Sequence, residues 1–144
     1  MFRIAGIIML LLAGNVLAGG PPIGSVKTVT GDASITTDNQ KSSAQVGSPV
    51  YQGSILQTGK NSSMGVTFKD ETVMSFGADT VFTVDEYLYA PTQGKLKLSS
   101  KITKGSLNYV SGVIAKMQPE AVSVTTPTGV IGVRGTQFLL KVEE

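Results

Sequence analysis

The segment Val66-Thr67-Phe68-Lys69-Asp70-Glu71-Thr72-Val73 predicts a β-hairpin. Its apolar residues Val66 and Phe68 alternate across a threonine, and this period of two places both side chains on one face of a strand. The charged residues Lys69–Glu71 follow at once, and a polar cluster of this kind is typical of a tight turn. We therefore expect two short antiparallel strands on either side of this turn.

The same alternation recurs along the chain after residue 18, with no sustained helical period of 3.6. The other apolar positions that show it are Val26, Val29, Ala33 and Ile35; Leu96 and Leu98; Leu107 and Tyr109; Val122 and Val124; and Phe138, Leu140 and Val142. Glycine and polar clusters separate these groups at strand-length spacing. The sequence therefore predicts an all-β fold, a small single domain of many short strands.

Three Gly-Ser-aliphatic triplets indicate corners that recur between strands. They begin at Gly24, Gly53 and Gly105. Their spacing is unequal, so a strict repeat is not predicted, but recurring corners favour a β-helix-like roll, with a β-sandwich as the alternative. The polar run Asp38–Ser43 predicts a loop, and Pro91 and Pro119 are each expected to end a strand, because proline cannot donate to a ladder.

Residues 1–18 have the layout of a signal peptide. Arg3 provides a positive start, Ile4–Leu12 is apolar apart from one glycine, and Val16 and Ala18 are small enough for the peptidase site. The apolar run is shorter than the roughly 20 residues that cross a bilayer. We expect cleavage after Ala18, a Gly/Pro-rich lead-in at residues 19–23, and an all-β domain at residues 24–142. The mature protein would be periplasmic or secreted, with no stable membrane span.

The composition excludes several classes of site. The 144-residue chain contains no Cys and no His. It therefore has no disulfide, no thiolate zinc site and no histidine to act as a general base or metal ligand. Its net charge of +2 is small and evenly scattered, which argues against nucleic acid as a partner.

The remaining polar residues form no catalytic pattern. The candidate carboxylates are Asp70, Glu71, Asp79, Asp85 and Glu86. Adjacent residues of a strand point to opposite faces, whereas a glycosidase needs two carboxyl groups that face one cleft. We therefore expect these groups to be solvated turn charges. Serines and threonines have no His to activate them, and no Ser-x-x-Lys run occurs. The sequence predicts a protein that is not an enzyme and binds no metal or cofactor.

The tyrosines suggest a binding surface. Tyr87 and Tyr89 are two residues apart, so they share one face of a strand. Exposed tyrosines stack on sugars, which would make them binding residues for a cell-wall or surface polysaccharide. The alternative is that their rings cap the core and leave the hydroxyl groups in water.

The segment Thr125–Phe138 resembles the closing signature of the FecR domain family, with a Thr-Pro, a Gly, then Val-Arg-Gly-Thr and an aromatic residue. Further upstream, Gly24–Ile35 is similar to the opening strand pair of the family, and Ser63–Ala78 to a later hairpin. Gly47–Gly59 resembles its Gly-x-x-Leu-x-x-Gly-Asp-x-Ile-x-Thr-Gly stretch, although Pro49-Val50 and Ser54 replace the usual Leu and Asp. The resemblance covers about residues 24–142.

The signature supplies the candidate site residues, which are Thr126, Pro127, Gly129, Val133, Arg134, Gly135 and Thr136. Pro127 keeps the chain extended, and the glycines permit positive φ or a close backbone approach. The hydroxyl group of Thr136 is able to satisfy a turn amide. The guanidinium of Arg134 either clamps carbonyl groups within the fold or binds an anionic partner.

The resemblance implies an extracytoplasmic β-domain. Founding members of the family span the inner membrane, receive a signal from an outer-membrane transporter and control a sigma factor. This sequence shows no cytoplasmic segment before its apolar run and no signalling domain after Glu144. We therefore expect it not to relay such a signal alone. The predicted function is a non-enzymatic interaction module that binds another envelope protein, and the alternative is a glycan-binding module for polysaccharide.

Overall fold

The computed structural model describes residues 20–133 and 135–143. The predicted signal peptide and Arg134 lie outside these residues. The strands of the described chain are β1 (Gly24–Thr30), β2 (Ala33–Thr37), β3 (Gln40–Ser43), β4 (Pro49–Val50), β5 (Ile55–Thr58), β6 (Ser63–Phe68), β7 (Val73–Phe76), β8 (Val81–Ala90), β9 (Lys95–Val110), β10 (Val122–Thr126), β11 (Gly129–Gly132) and β12 (Gln137–Val142). A short helix, α1, comprises Val113–Met117, and single 3₁₀ turns lie at Pro91–Gln93 and Pro119–Ala121.

These strands form one curled sheet, a half-barrel whose main order is β3-β2-β5-β8-β9-β7-β6-β1-β4. The long strand β9 joins its two halves. The first part of β9 pairs with β8 and β10, and its last part pairs with β7 and β12. β11 extends the sheet from β10. The predicted all-β fold of many short strands is confirmed; the sheet does not specifically show a β-helix-like roll.

The two halves of the sheet share one hydrophobic core. The rings of Phe76 in β7 and Phe82 in β8 join the halves, with their centroids 4.9 Å apart. The alternating positions predicted from the sequence are buried in this core or packed against it: Val26, Ile35, Val66, Phe68, Leu98, Leu107, Tyr109, Val122 and Val124 are buried, and Val29, Ala33, Leu96, Phe138, Leu140 and Val142 are partly buried. The predicted alternation is therefore confirmed.

Single extra residues in three of the described strands shift the face that points into the core. The register skips Lys27 in β1, Asp85 in β8 and Thr103 in β9. Such a β-bulge moves the inward positions from one parity to the other. In β1 it explains why Val26 and Val29, three residues apart, both contact the core.

The Gly-Ser-aliphatic triplet that begins at Gly105 does not form the expected corner between two strands. It lies inside β9 instead, at the point where the partners of β9 change. Gly105 has a φ of 103°, in the region that favours glycine. A side chain there would overlap the backbone of Thr80. The Thr80 hydroxyl group accepts the N–H of Ser106 at 3.0 Å, which holds the bend in place.

Two predicted loop boundaries differ from the structure. The predicted loop Asp38–Ser43 is a two-residue turn, Asp38-Asn39, followed by β3. Both turn residues have positive φ, 53° and 65°, as in a type I′ hairpin. Pro91 follows the end of β8, as predicted, but the segment before Pro119 is the helix α1 rather than a strand.

Candidate interaction site

The signature segment forms a hairpin at an edge of the sheet. β10 pairs with β9 on one side and with β11 on the other, and Pro127-Thr128 is the turn between β10 and β11. The Thr126 hydroxyl group donates to the carbonyl of Gly129 at 3.0 Å and accepts the N–H of Thr128 at 3.3 Å. The turn is exposed, so its own threonine, rather than any packing element, closes it.

The segment that follows β11 is anchored by Ser111, which is buried. Its N–H donates to the carbonyl of Thr136 at 2.8 Å, and its hydroxyl group donates to the carbonyl of Gly135 at 2.9 Å. Gly135 has a φ of 90°, so glycine is favoured there, and Val133 is buried. Nothing in the sequence around Ser111 signals this role. Because Arg134 lies outside the described residues, both roles expected for it stay predictions.

The hairpin and β12 expose large apolar side chains. Val130 in β11 is 67% exposed and Leu139 in β12 is 75% exposed. Between the two strands lies a cleft of about 270 Å³, lined by Ile131 and Leu140 among others, with Pro127 at the hairpin turn. Ile131 and Leu140 are half-buried. The signature residues are thus placed beside an apolar surface.

The β6–β7 turn also carries polar residues, but its Asp70 is buried, whereas the β10–β11 turn is exposed. The predicted hairpin is confirmed, because β6 pairs with β7. The expectation that Asp70 is solvated is wrong, since its side chain is fully buried. One carboxylate oxygen accepts the hydroxyl group of Tyr87 at 2.9 Å, and the other accepts the hydroxyl group of Thr72 at 2.8 Å and the N–H of Ile114 at 3.0 Å.

The burial of Asp70 has a physical reason in the helix α1, whose first residues pack over the turn. The N–H of Val113 donates to the carbonyl of Asp70 at 2.7 Å. A buried carboxylate is tolerated when donors replace its water, and here hydroxyl groups and backbone amides do so. Sequence reasoning missed this cluster because two of its donors, Tyr87 and Ile114, lie 17 and 44 positions away in the chain.

Tyr87 belongs to this cluster rather than to the surface. Its hydroxyl group also accepts the N–H of Asp70 at 2.9 Å, and its ring stacks on Phe68 with centroids 5.6 Å apart. Burial, reinforced by the Asp70 carboxylate, raises the pKa of Tyr87 above its usual value. Tyr89 is half-buried and packs against the core. The two residues therefore form no exposed aromatic platform for a sugar.

Tyr109 is a second buried tyrosine beside the same carboxylate. Its ring stacks on Phe138 with centroids 5.0 Å apart. Within the described residues its hydroxyl group has no hydrogen-bond partner of good geometry, although Thr72 and Ser111 lie next to it. Burial raises the pKa of Tyr109 to about 12, and the charge of Asp70 adds to this effect. An unpaired buried hydroxyl group costs stability.

The described residues contain neither a metal-binding cluster nor a helix that could span a membrane. No group of three or more His, Cys, Asp or Glu side chains among residues 20–133 and 135–143 could hold a metal ion. In the same part of the chain, no helix has the length and apolar character needed to cross a membrane.

A comparison with protein families matches residues 54–144 to the family described as FecR protein. The matched range covers more than half of the chain and includes the Asp70 cluster, the β10–β11 hairpin and β12. No curated protein and no solved structure matches the chain.

Proposed function

Because the chain belongs to the FecR family, we propose that it is a non-enzymatic, extracytoplasmic module that binds another envelope protein. The observation that carries the proposal is the exposed apolar surface on the signature hairpin and β12. Val130 and Leu139 are two of the three most exposed large apolar side chains of the described residues. The same hairpin borders the cleft in which Ile131 and Leu140 are half-buried, and exposed apolar surface of this kind is typical of a protein interaction site.

The proposed location outside the cytoplasm rests on the sequence of residues 1–18. Their signal-peptide layout supports export and cleavage after Ala18. On this proposal the lead-in at residues 19–23 and the β-domain at residues 24–142 form the mature protein in the periplasm or outside the cell. The family resemblance, which implies an extracytoplasmic domain, supports the same location.

The absence of catalysis is supported by the bonding of Asp70. It is a buried carboxylate, the kind of group that an enzyme could use as a base. Each of its two oxygens already accepts hydrogen bonds from within the fold, and it sits behind α1 rather than in a cleft. The chain also contains no His or Cys. These observations favour a structural role for Asp70.

The experiment is crosslinked capture of the tagged full chain in the cells that produce it, followed by mass spectrometry. The test variant carries Val130→Lys and Leu139→Lys. The matched control is Val46→Lys, because Val46 is 70% exposed in a loop far from β11 in the sequence. We expect wild type and control to capture one abundant envelope protein, and the double variant to lose it.

Two results would overturn the proposal. One is equal capture by the double variant and the control, which would show that Val130 and Leu139 do not contribute to the interaction. The other is recovery of polysaccharide without any protein, which would favour the glycan-binding alternative.

A further inference from the structure

In the described part of the chain, four strands have a neighbour on one side alone: β3, β4, β11 and β12. Such edges expose unpaired backbone groups, and proteins usually protect them with charge, proline or shortness. β3 is polar and contains Lys41, and β4 has two residues and begins at Pro49. β12 contains Lys141. β11, with the sequence Gly-Val-Ile-Gly, is as short as β3 but contains no charged residue and no proline.

The hydrogen-bonding groups of β11 are available on its outer side. The two-residue turn makes Thr126 and Gly129 a pair that exchanges both backbone hydrogen bonds. In an antiparallel ladder the next pair is not hydrogen-bonded, so the N–H and C=O of Val130 point away from β10. The same alternation directs those of Gly132 outward. β11 therefore offers two donor and acceptor pairs to a further strand.

Among the described residues, the side chains that face the core also lack a neighbour on the outer side of β11. Val84, Ser100 and Val124 lie in one row across β8, β9 and β10, and all three are buried. The row ends at Ile131, which is half-buried and lines the cleft beside β12. A strand added next to β11 would continue the row and cover Ile131.

We propose that β11 is a site of strand addition, at which an extended segment of the partner protein pairs with the outer edge of the signature hairpin. This inference rests on the proposed function and specifies how the partner is recognised. Main-chain hydrogen bonds supply affinity in this mode, and alternate side chains supply specificity. β11 is uncharged, and its cleft contains Ile131 and Leu140. The cleft also contains Lys141 and Glu143, but their opposite charges pair with each other at 3.8 Å. The segment is therefore uncharged, with aliphatic side chains at alternate positions.

To test this proposal, a phage library of random short peptides is panned against the full chain, and the peptides that bind are enriched. The enriched peptides are then synthesised, and their binding is measured together with backbone hydrogen exchange. We expect enrichment of uncharged peptides with alternating aliphatic residues, and new protection of the Val130 and Gly132 amides. Val130→Pro removes an outward N–H without removing a ladder bond, and should weaken peptide binding about tenfold, the equivalent of one net hydrogen bond.

The matched control is Lys41→Pro. Lys41 occupies the corresponding position after the two-residue turn of the β2–β3 hairpin, so its N–H also points outward, but from the polar edge. We expect this variant to bind the peptides like wild type. If Val130→Pro does not fold, Val130→Lys replaces it, with Val46→Lys as its control.

Several outcomes would overturn the inference: no enriched peptide, protection at β3 or β12 instead of β11, or equal binding by Val130→Pro and Lys41→Pro. Protection of Val130 that increases with the concentration of the chain alone would identify a second copy as the occupant instead. The proposed function fails separately. An envelope protein captured equally by wild type and Val130→Pro would leave the interaction module intact and reject strand addition, whereas no captured protein would reject the module itself.

Discussion

The β6–β7 turn and the β10–β11 turn both join adjacent antiparallel strands, and both lie within the residues that match the family. Their environments are opposite. Asp70 in the first turn is fully buried and hydrogen-bonded on both carboxylate oxygens. Thr126, which precedes the second turn, and Thr128, which lies in it, bond to each other at the exposed surface. What differs is the covering element, because α1 packs on the first turn.

This difference separates stability from binding. The polar groups of the β6–β7 turn are satisfied inside the fold, so changing them should unfold the protein. The outward groups of β11 have no partner strand in the described residues, so changing them should affect an interaction and leave the fold intact. Five predictions test this separation.

The largest effect is expected for Asp70→Ala. This change leaves the hydroxyl groups of Tyr87 and Thr72 and the N–H of Ile114 without their acceptor in the core. We expect the free energy of unfolding to fall by about 4 kcal/mol. Thr126→Ala at the exposed turn should lower it by about 0.5 kcal/mol. Urea unfolding of both variants measures the contrast, and similar losses would contradict it.

A loss of about 3 kcal/mol is expected for Gly105→Ala. The new methyl group would require a strained φ and would overlap the backbone of Thr80. The control is Gly132→Ala in β11, where no atom lies within 4 Å of the added carbon. Thermal unfolding should show a large decrease in Tm for the first variant and almost none for the second. A tolerated alanine at residue 105 would be evidence against the bend in β9.

The two buried tyrosines should respond with opposite sign. Tyr87→Phe removes a hydroxyl group that bonds both the N–H and the carboxylate of Asp70, so it should cost about 2 kcal/mol. Tyr109→Phe removes a hydroxyl group without a partner, so it should stabilise the protein by about 1 kcal/mol. Denaturant unfolding at neutral pH gives both values. Equal destabilisation by the two changes would show that the Tyr109 hydroxyl group is bonded in solution.

Alkaline pH should weaken the fold through Tyr109. Its pKa is raised to about 12 in the folded protein, whereas an unfolded tyrosine titrates near its ordinary value of about 10. Between these values the unfolded chain binds fewer protons, so the free energy of unfolding falls by about 1.4 kcal/mol for each pH unit per residue. Unfolding curves from pH 9 to about 12 should show a shallower decrease for Tyr109→Phe than for wild type. Identical slopes would contradict the raised pKa.

The smallest effect on stability is expected for Val130→Lys. The side chain is 67% exposed, so the free energy of unfolding should change by less than about 0.5 kcal/mol. Partner capture should nevertheless decrease, because a lysine on an edge strand opposes pairing. Parallel measurements of Tm and capture separate the two roles. A variant that unfolds more easily yet still captures the partner would reverse our assignment.

The sequence predicted the strand segments well because each depends on neighbouring residues. Val66 and Phe68 alternate visibly, and the turn that follows them is polar. The bulges at Lys27, Asp85 and Thr103 could not be predicted in this way, because a bulge is defined by the register of a partner strand. The helix α1 was also missed, since five residues are too few to show a helical period.

For the candidate site, the sequence identified the signature but not its anchors. Ser111 holds the carbonyl groups of Gly135 and Thr136 from 24 or 25 positions earlier in the chain. Asp70 was expected in solvent because turn carboxylates are usually exposed. Tyr87, considered for sugar binding, proved to be a partner of that carboxylate.

The sequence by itself determined the all-β class, the family and the positions of most strands, since alternation and motifs are properties of adjacent residues. The tertiary structure decided which hairpin turn is covered by α1 and which is exposed. Ile114 reaches Asp70 across 44 positions of the chain, and β11 is an edge because no described strand pairs beyond it. Burial and edge exposure follow from such long-range contacts, which local patterns do not contain.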